Sequence, residues 1–179
     1  MYTAIKNYKG LFIAAAGNDK RNRSSLPAGY TLDNIISVGA SNFSDERAKY
    51  SNYHKTKVDV FAPGGDGDIE NAKPIYSSCS PSSVYKNEII CKENNVLIGM
   101  SGTSMATPMV TAIIATSLSQ DPTLSTSELK DALIDSVKPN KVFINLSLTG
   151  GIIDADKFYD ELFNKTFAND KDVVAVRIG

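Results

Sequence analysis

Four short apolar runs set the limits on what this chain can fold into. They read LFIAAAG at 11–17, NIISVGAS at 34–41, VDVFAPG at 58–64 and NVLIGMS at 95–101. None alternates apolar with polar residues along its length, and each closes on Gly, Pro or Ser. Runs of this kind fit strands buried on both faces, as in a parallel sheet covered by helices. A segment from about Ser104 to Leu118 is apolar nearly all round, which suits a helix buried at the centre of a domain. Strands interleaved with helices then predict an α/β layer architecture with a mostly parallel sheet.

The remaining helices announce themselves by their caps. In STSELKDALIDSV, Ser125 or Thr126 serves as N-cap, Glu128 falls in the first turn, and Leu129, Leu133 and Val137 share a face. DADKFYDELF at 154–163 reads as a short amphipathic helix, and YTAIKNY at 2–8 as a weak one ending before Gly10. At 179 residues the chain is sized for one domain with a substantial core. Residues 64–95 are polar, turn-rich and too long for an ordinary connection, so they are expected to form a surface insertion. Residues 164–179 are read as a C-terminal tail.

Charge and hydropathy exclude some partners. The formal net charge is −1, which gives no electrostatic footprint for nucleic acid. No apolar run approaches the length of a membrane span. Cys79 and Cys91 flank a serine-rich segment. A disulfide between them would stabilise by roughly 3 kcal/mol and would imply an oxidising compartment; the alternative is two unrelated thiols. Asp66, Asp68 and Glu70 stand at alternate positions in GDGDIEN, a spacing suited to calcium or simply to a solvated acidic loop. Asn22, Asn42, Asn145 and Asn164 each open an N-x-S/T sequon.

The chemistry is concentrated in GMSGTSMATPMV, residues 99–110. A serine at the mouth of a helix meets unpaired backbone N–H groups and the positive end of the helix dipole, both suited to a developing oxyanion. Gly102 lets the backbone come close to a substrate. The competing reading makes Thr107 a helix cap with Pro108 at the first helical position. On local physics alone that second reading is the stronger. A second stretch, AAAGND at 14–19, ends an apolar run on Gly17 and follows it with Asn18. An Asn amide offers two N–H donors without adding charge, although Asn is also a common turn residue.

Taken together, the two stretches carry a resemblance. GTSMATP at 102–108 is similar to the nucleophile motif of the subtilisin-like serine proteases, and FIAAAGND at 12–19 resembles their oxyanion-hole strand. IISVGASNFSDERAKYSN, VDVFAPG and GGIIDADKF resemble further segments that this family carries in the same order. The resemblance covers residues 1–163 apart from the insertion. It implies a subtilisin-like three-layer sandwich, incomplete at the N-terminal side, with Ser104 as nucleophile. It implies Asn18 as oxyanion donor, with the Ser104 backbone N–H as its companion. Ala15, Ala16, Gly17 and Thr103 would line the substrate cleft. It further implies a polypeptide substrate and a secreted, periplasmic or cell-surface setting. Calcium is a frequent companion of the family, but GDGDIEN matches none of its sites, so no cofactor is assigned.

The chain departs from the family pattern in one large respect. The family's triad runs Asp, His, Ser along the sequence, with Asp and His ahead of the oxyanion Asn. The residues before Asn18 contain neither Asp nor His, and the sole histidine, His54, falls in a turn expected to be exposed. The expected reading is the C-terminal part of a catalytic domain, nearly inert alone, whose partner is the missing N-terminal part. Such a fragment would leave a sheet edge and apolar helix faces uncovered. The alternative is a non-catalytic binding or scaffold fragment of a degenerate protease. Smaller departures are Met109 and Ala112, where the family more often has His and Gly; these predict altered packing only.

Overall fold

Three of the four apolar runs do form parallel strands. The computed structural model describes residues 1–67, 73–78, 84–85, 88–89 and 97–164. Strands β1 (Phe12–Ala15), β2 (Ile35–Ser41) and β3 (Val60–Pro63) lie side by side in register Phe12 to Ile35 and Val38 to Val60. Two short strands, β8 (Lys138–Pro139) and β9 (Gly151–Ile152), extend the sheet to the order β1-β2-β3-β9-β8. β9 is parallel to β3, and β8 is antiparallel to β9. The sheet is therefore mixed but mostly parallel. All seven residues of β2 are buried, which explains why its sequence shows no polar alternation.

Both faces of the sheet carry a core. On one, Ile36, Val38, Ala40, Val60 and Ala62 pack against Ala106, Val110 and Ile114 of helix α2 (Thr103–Gln120). Leu129 and Leu133 of α3 (Thr126–Asp135) and Phe158 of α4 (Ala155–Tyr159) complete that layer. On the other face Ala16, Val58, Phe61, Phe143 and Ile152 form a second cluster. The Phe61 and Phe143 ring centroids lie 4.6 Å apart, and Phe61 covers Gly39, where an added Cβ would run into the ring. α3 starts as its sequence predicts: Ser125 is the N-cap, and Ser125 and Glu128 form a reciprocal capping box. The fourth helix, α1 (Tyr2–Asn7), precedes β1.

Three expectations are corrected. The run at 95–101 does not enter the main sheet. Its strand β7 (Leu97–Met100) pairs antiparallel with β4 (Ile75–Ser78), inside the stretch expected to be an insertion. Leu97 and Met100 are exposed, so here an apolar run without alternation marks a surface ribbon. A further pair, β5 (Val84–Tyr85) with β6 (Glu88–Ile89), lies in the same stretch. Next, α2 begins at Thr103, so Thr107 is no cap and Pro108 stands inside the helix. Finally, α2 is not buried all round: Pro108, Thr111, Ala112, Ala115 and Thr116 are exposed. That open side is made of small residues, which is why composition reads as buried. Met109 packs partly against the core, whereas Ala112 does not.

The open side of α2 adjoins the free edge of the sheet. β1 pairs with β2 and, among the described residues, with no strand on its other side. A cleft of roughly 490 Å³ runs there, lined by Ala4, Ile5, Tyr8, Leu11, Phe12, Ile13 and Thr111. Among the described residues no helix is long and apolar enough to cross a membrane.

Candidate active site

The site forms where α2 begins beside the end of β1. Gly102 is the N-cap, with an extended backbone, and its carbonyl accepts from the N–H groups of Met105 (3.0 Å) and Ala106 (3.3 Å). Its own N–H donates to the Gly64 carbonyl at 2.9 Å, which ties the helix mouth to the loop after β3. Ser104 is then the second helical residue and is exposed. At that position its backbone N–H has no intrahelical acceptor. Among the described residues its hydroxyl has no hydrogen-bond partner either. Pro108, four residues on, lacks the N–H that the Ser104 carbonyl would otherwise accept.

Asn18 is brought to this helix mouth by Thr103. The Asn18 Oδ1 accepts from the Thr103 N–H at 3.0 Å and from the Thr103 hydroxyl at 2.9 Å. A backbone N–H can only donate, so the atom facing it must be the amide oxygen. The Asn18 Nδ2 donors are thereby turned away from Thr103. The Thr103 hydroxyl in turn accepts from the Gly17 N–H at 3.2 Å. A Cβ built on Gly102 would lie 3.4 Å from Asn18 Nδ2 and 3.6 Å from the Ser104 nitrogen. Two N–H donors thus border one spot beside an exposed serine, the arrangement that receives negative charge on a carbonyl oxygen.

The other sequence-derived residues fall as follows. Thr103 is 1% exposed, so its side chain holds Asn18 and does not face solvent. Ala16 is fully buried in the second core cluster, while Ala15 and Gly17 are half-buried at the rim. Gly17 adopts φ +104°, and a side chain there would collide with Asn52 and Ser25. His54 itself is half-buried, whereas the turn that follows it, residues 55–57, is exposed as expected. The His54 N–H donates to the Leu146 carbonyl, its carbonyl accepts from Val58, and its Nδ1 accepts from the Thr56 N–H at 3.1 Å. That ring nitrogen is occupied within its own turn.

The acidic stretch is only partly described. Asp66 accepts from the backbone N–H groups of Phe43 (3.2 Å) and Lys73 (3.4 Å); Asp68 and Glu70 lie outside the described residues, as do Cys79 and Cys91. Two residues at this site escaped sequence reasoning. Asn52 is fully buried and bonded to the Asn18 loop, and Tyr50 reaches the Gly64–Gly65 carbonyls. Both sit in the YSN that ends the longest family-like segment, which was the available signal. Burial pushes the Tyr50 hydroxyl up to about 12, so it remains a proton donor at any ordinary pH.

Comparison with known proteins bears on the fold and the family. The subtilase family model matches residues 3–166. The extracellular serine proteinase of Thermus sp. is 38% identical over 131 residues, covering 73% of this chain and 27% of the relative. The cell wall-associated protease of Bacillus subtilis is 38% identical over 123 residues, 69% of this chain and 11% of the relative. The chain thus spans about a quarter or less of these relatives' length. A protease from Pseudoalteromonas arctica superimposes with a TM-score of 0.66 at 25% identity, over 83% of this chain and 41% of that one. The prenylagaramide maturation protease PagA gives 0.63 at 25%, over 85% and 50%. A match across nearly the whole described fold, together with the serine and amide motifs in place, means that the chain belongs to the subtilase family.

Proposed function

We propose that this chain supplies the nucleophile and the oxyanion hole of a serine endopeptidase. The carrying observation is the pair of Thr103–Asn18 hydrogen bonds, which set the Asn18 amide beside the mouth of the Ser104 helix. Ser104 Oγ attacks the carbonyl carbon of a peptide bond. The carbonyl oxygen takes the negative charge and is held by Asn18 Nδ2 and the Ser104 N–H. A general base accepts the Ser104 proton and passes it to the departing amine. Water then releases the acyl group from Ser104.

The base and its orienting carboxylate reside on polypeptide outside these 179 residues. Supporting this, His54 Nδ1 is engaged by Thr56 within its own turn, and a surface lined mostly by apolar side chains joins the free edge of β1 to Thr111 of α2. That surface is where the remainder of the catalytic domain docks. The setting is extracytoplasmic, in keeping with the extracellular and cell wall-associated relatives.

A fluorophosphonate probe tests the reading. This chain alone should label at Ser104 more slowly than an intact subtilase by about 10³-fold or more. Labelling at the intact rate would place a base within the chain and overturn the proposed division. A second expectation concerns Gly102. Its backbone is extended, and an added methyl would make only ordinary contacts at 3.4 Å and beyond. Gly102→Ala should therefore leave the melting temperature unchanged. In the protease containing this chain it should lower kcat by about 10²-fold, because the methyl crowds the spot between the donors. Unchanged kcat would show that the oxyanion does not approach there.

A further inference from the structure

The loop that carries Asn18 is held from its inner side by one side chain. Asn52 is 0% exposed. Its Oδ1 accepts from the backbone N–H groups of Asp19 and Arg21, both at 3.0 Å. Its Nδ2 donates to the Ala16 carbonyl at 2.9 Å, with the Ser25 hydroxyl at 3.2 Å and Asp19 Oδ2 at 3.4 Å. Its backbone N–H donates to the Gly17 carbonyl at 2.8 Å. Residues on both sides of Asn18 are thus fixed to Asn52. The loop needs such a hold, because Gly17 and Lys20 both adopt positive φ, at +104° and +60°. Gly17 must lack a side chain for the approach: a Cβ there would stand 2.6 Å from Asn52 Nδ2.

The same turn braces the other donor. The Tyr50 hydroxyl lies 2.7 Å from the Gly64 carbonyl oxygen and 2.9 Å from that of Gly65. The Gly64 carbonyl also accepts the Gly102 N–H, two residues before Ser104. The Tyr50 carbonyl accepts the Lys20 N–H at 3.0 Å, and the Tyr53 N–H donates to the Arg21 carbonyl at 3.0 Å. Residues 50–53 therefore grip the Asn18 loop directly and the Ser104 turn through Gly64.

We propose that Asn52 is a positioning residue for the oxyanion hole: it fixes the Asn18 amide relative to Ser104 without touching the substrate, and Tyr50 anchors the Ser104 side to the same turn. The proposal rests on the active-site reading given above. Its signature is that Asn52 acts through Asn18. In the protease containing this chain, Asn52→Ala should lower kcat by about 10- to 100-fold with KM within about twofold. In an Asn18→Ala background the same substitution should lower kcat less than about twofold, since the donor it positions is gone. Equal losses in both backgrounds would mean a general structural role and would overturn the proposal. If Asn52→Ala does not fold, Asn52→Ser, which keeps a polar group in the buried site, carries the same cycle. If the wild-type protease neither labels nor turns over at Ser104, it is the active-site reading that fails. The placement of Asn18 is then read from its side-chain amide resonances in this chain. Shifted and motionally broadened Asn18 amide resonances in Asn52→Ser support the proposal, and unchanged resonances overturn it.

Discussion

Ser104→Ala, made in the protease that contains this chain, should lower kcat by about 10⁶-fold while leaving the melting temperature within a degree or two. The magnitude is that of subtilisin, a member of the same family, and is carried over. The reasoning is local. Ser104 is exposed, and its hydroxyl has no hydrogen-bond partner among the described residues, so its removal disturbs no packing. What disappears is the atom that forms the acyl bond. Asn18→Ala should have a smaller effect, about 10²- to 10³-fold in kcat, again by subtilisin's example. The two losses should not add, because without Ser104 there is no tetrahedral oxyanion for Asn18 to hold. Rates from the single and double variants check this. A Ser104→Ala protein that retains turnover above a tenth of wild type would place the nucleophile elsewhere.

The largest effect on stability is expected at Phe61. Phe61→Ala should lower the unfolding free energy of the chain by about 3–5 kcal/mol, measured by chemical denaturation. Phe61 is fully buried, stacks near Phe143 and fills the space over Gly39. Neither neighbour can close that gap: Gly39 has no side chain, and Phe143 is itself fully packed. Against a total stability of about 5–15 kcal/mol for a typical domain, the loss removes a large fraction of the whole. A loss below about 1 kcal/mol would show that the second cluster is loosely packed.

The parallel core was legible because burial on both faces removes the need for polar positions. LFIAAAG, NIISVGAS and VDVFAPG advertise it, and all seven residues of β2 are indeed buried. The same logic failed for NVLIGMS, whose strand lies in an exposed two-stranded ribbon. Apolar composition reports a preference for burial, but it does not name the partner that does the burying. The cap of α3 was legible from Ser125 and Glu128, because a capping box is a contact between residues three apart. The start of α2 was not, because Gly102 caps without a side chain and Pro108 invites a start further on. Ser104 and Asn18 stand out in the sequence by motif. Their alignment by Thr103, and the grip of Asn52 on the Asn18 loop, depend on contacts 85 and some 31 to 36 residues apart along the chain. Nothing local foretells them.

That 85-residue separation between Thr103 and Asn18 has a consequence for when the chemistry can begin. A growing chain with β1 folded but α2 not yet docked presents an amide with no serine. A detached α2 presents a serine with no amide. On the proposed reading, catalytic competence depends on this long-range closure: neither segment is sufficient until the Thr103–Asn18 hydrogen bonds have formed.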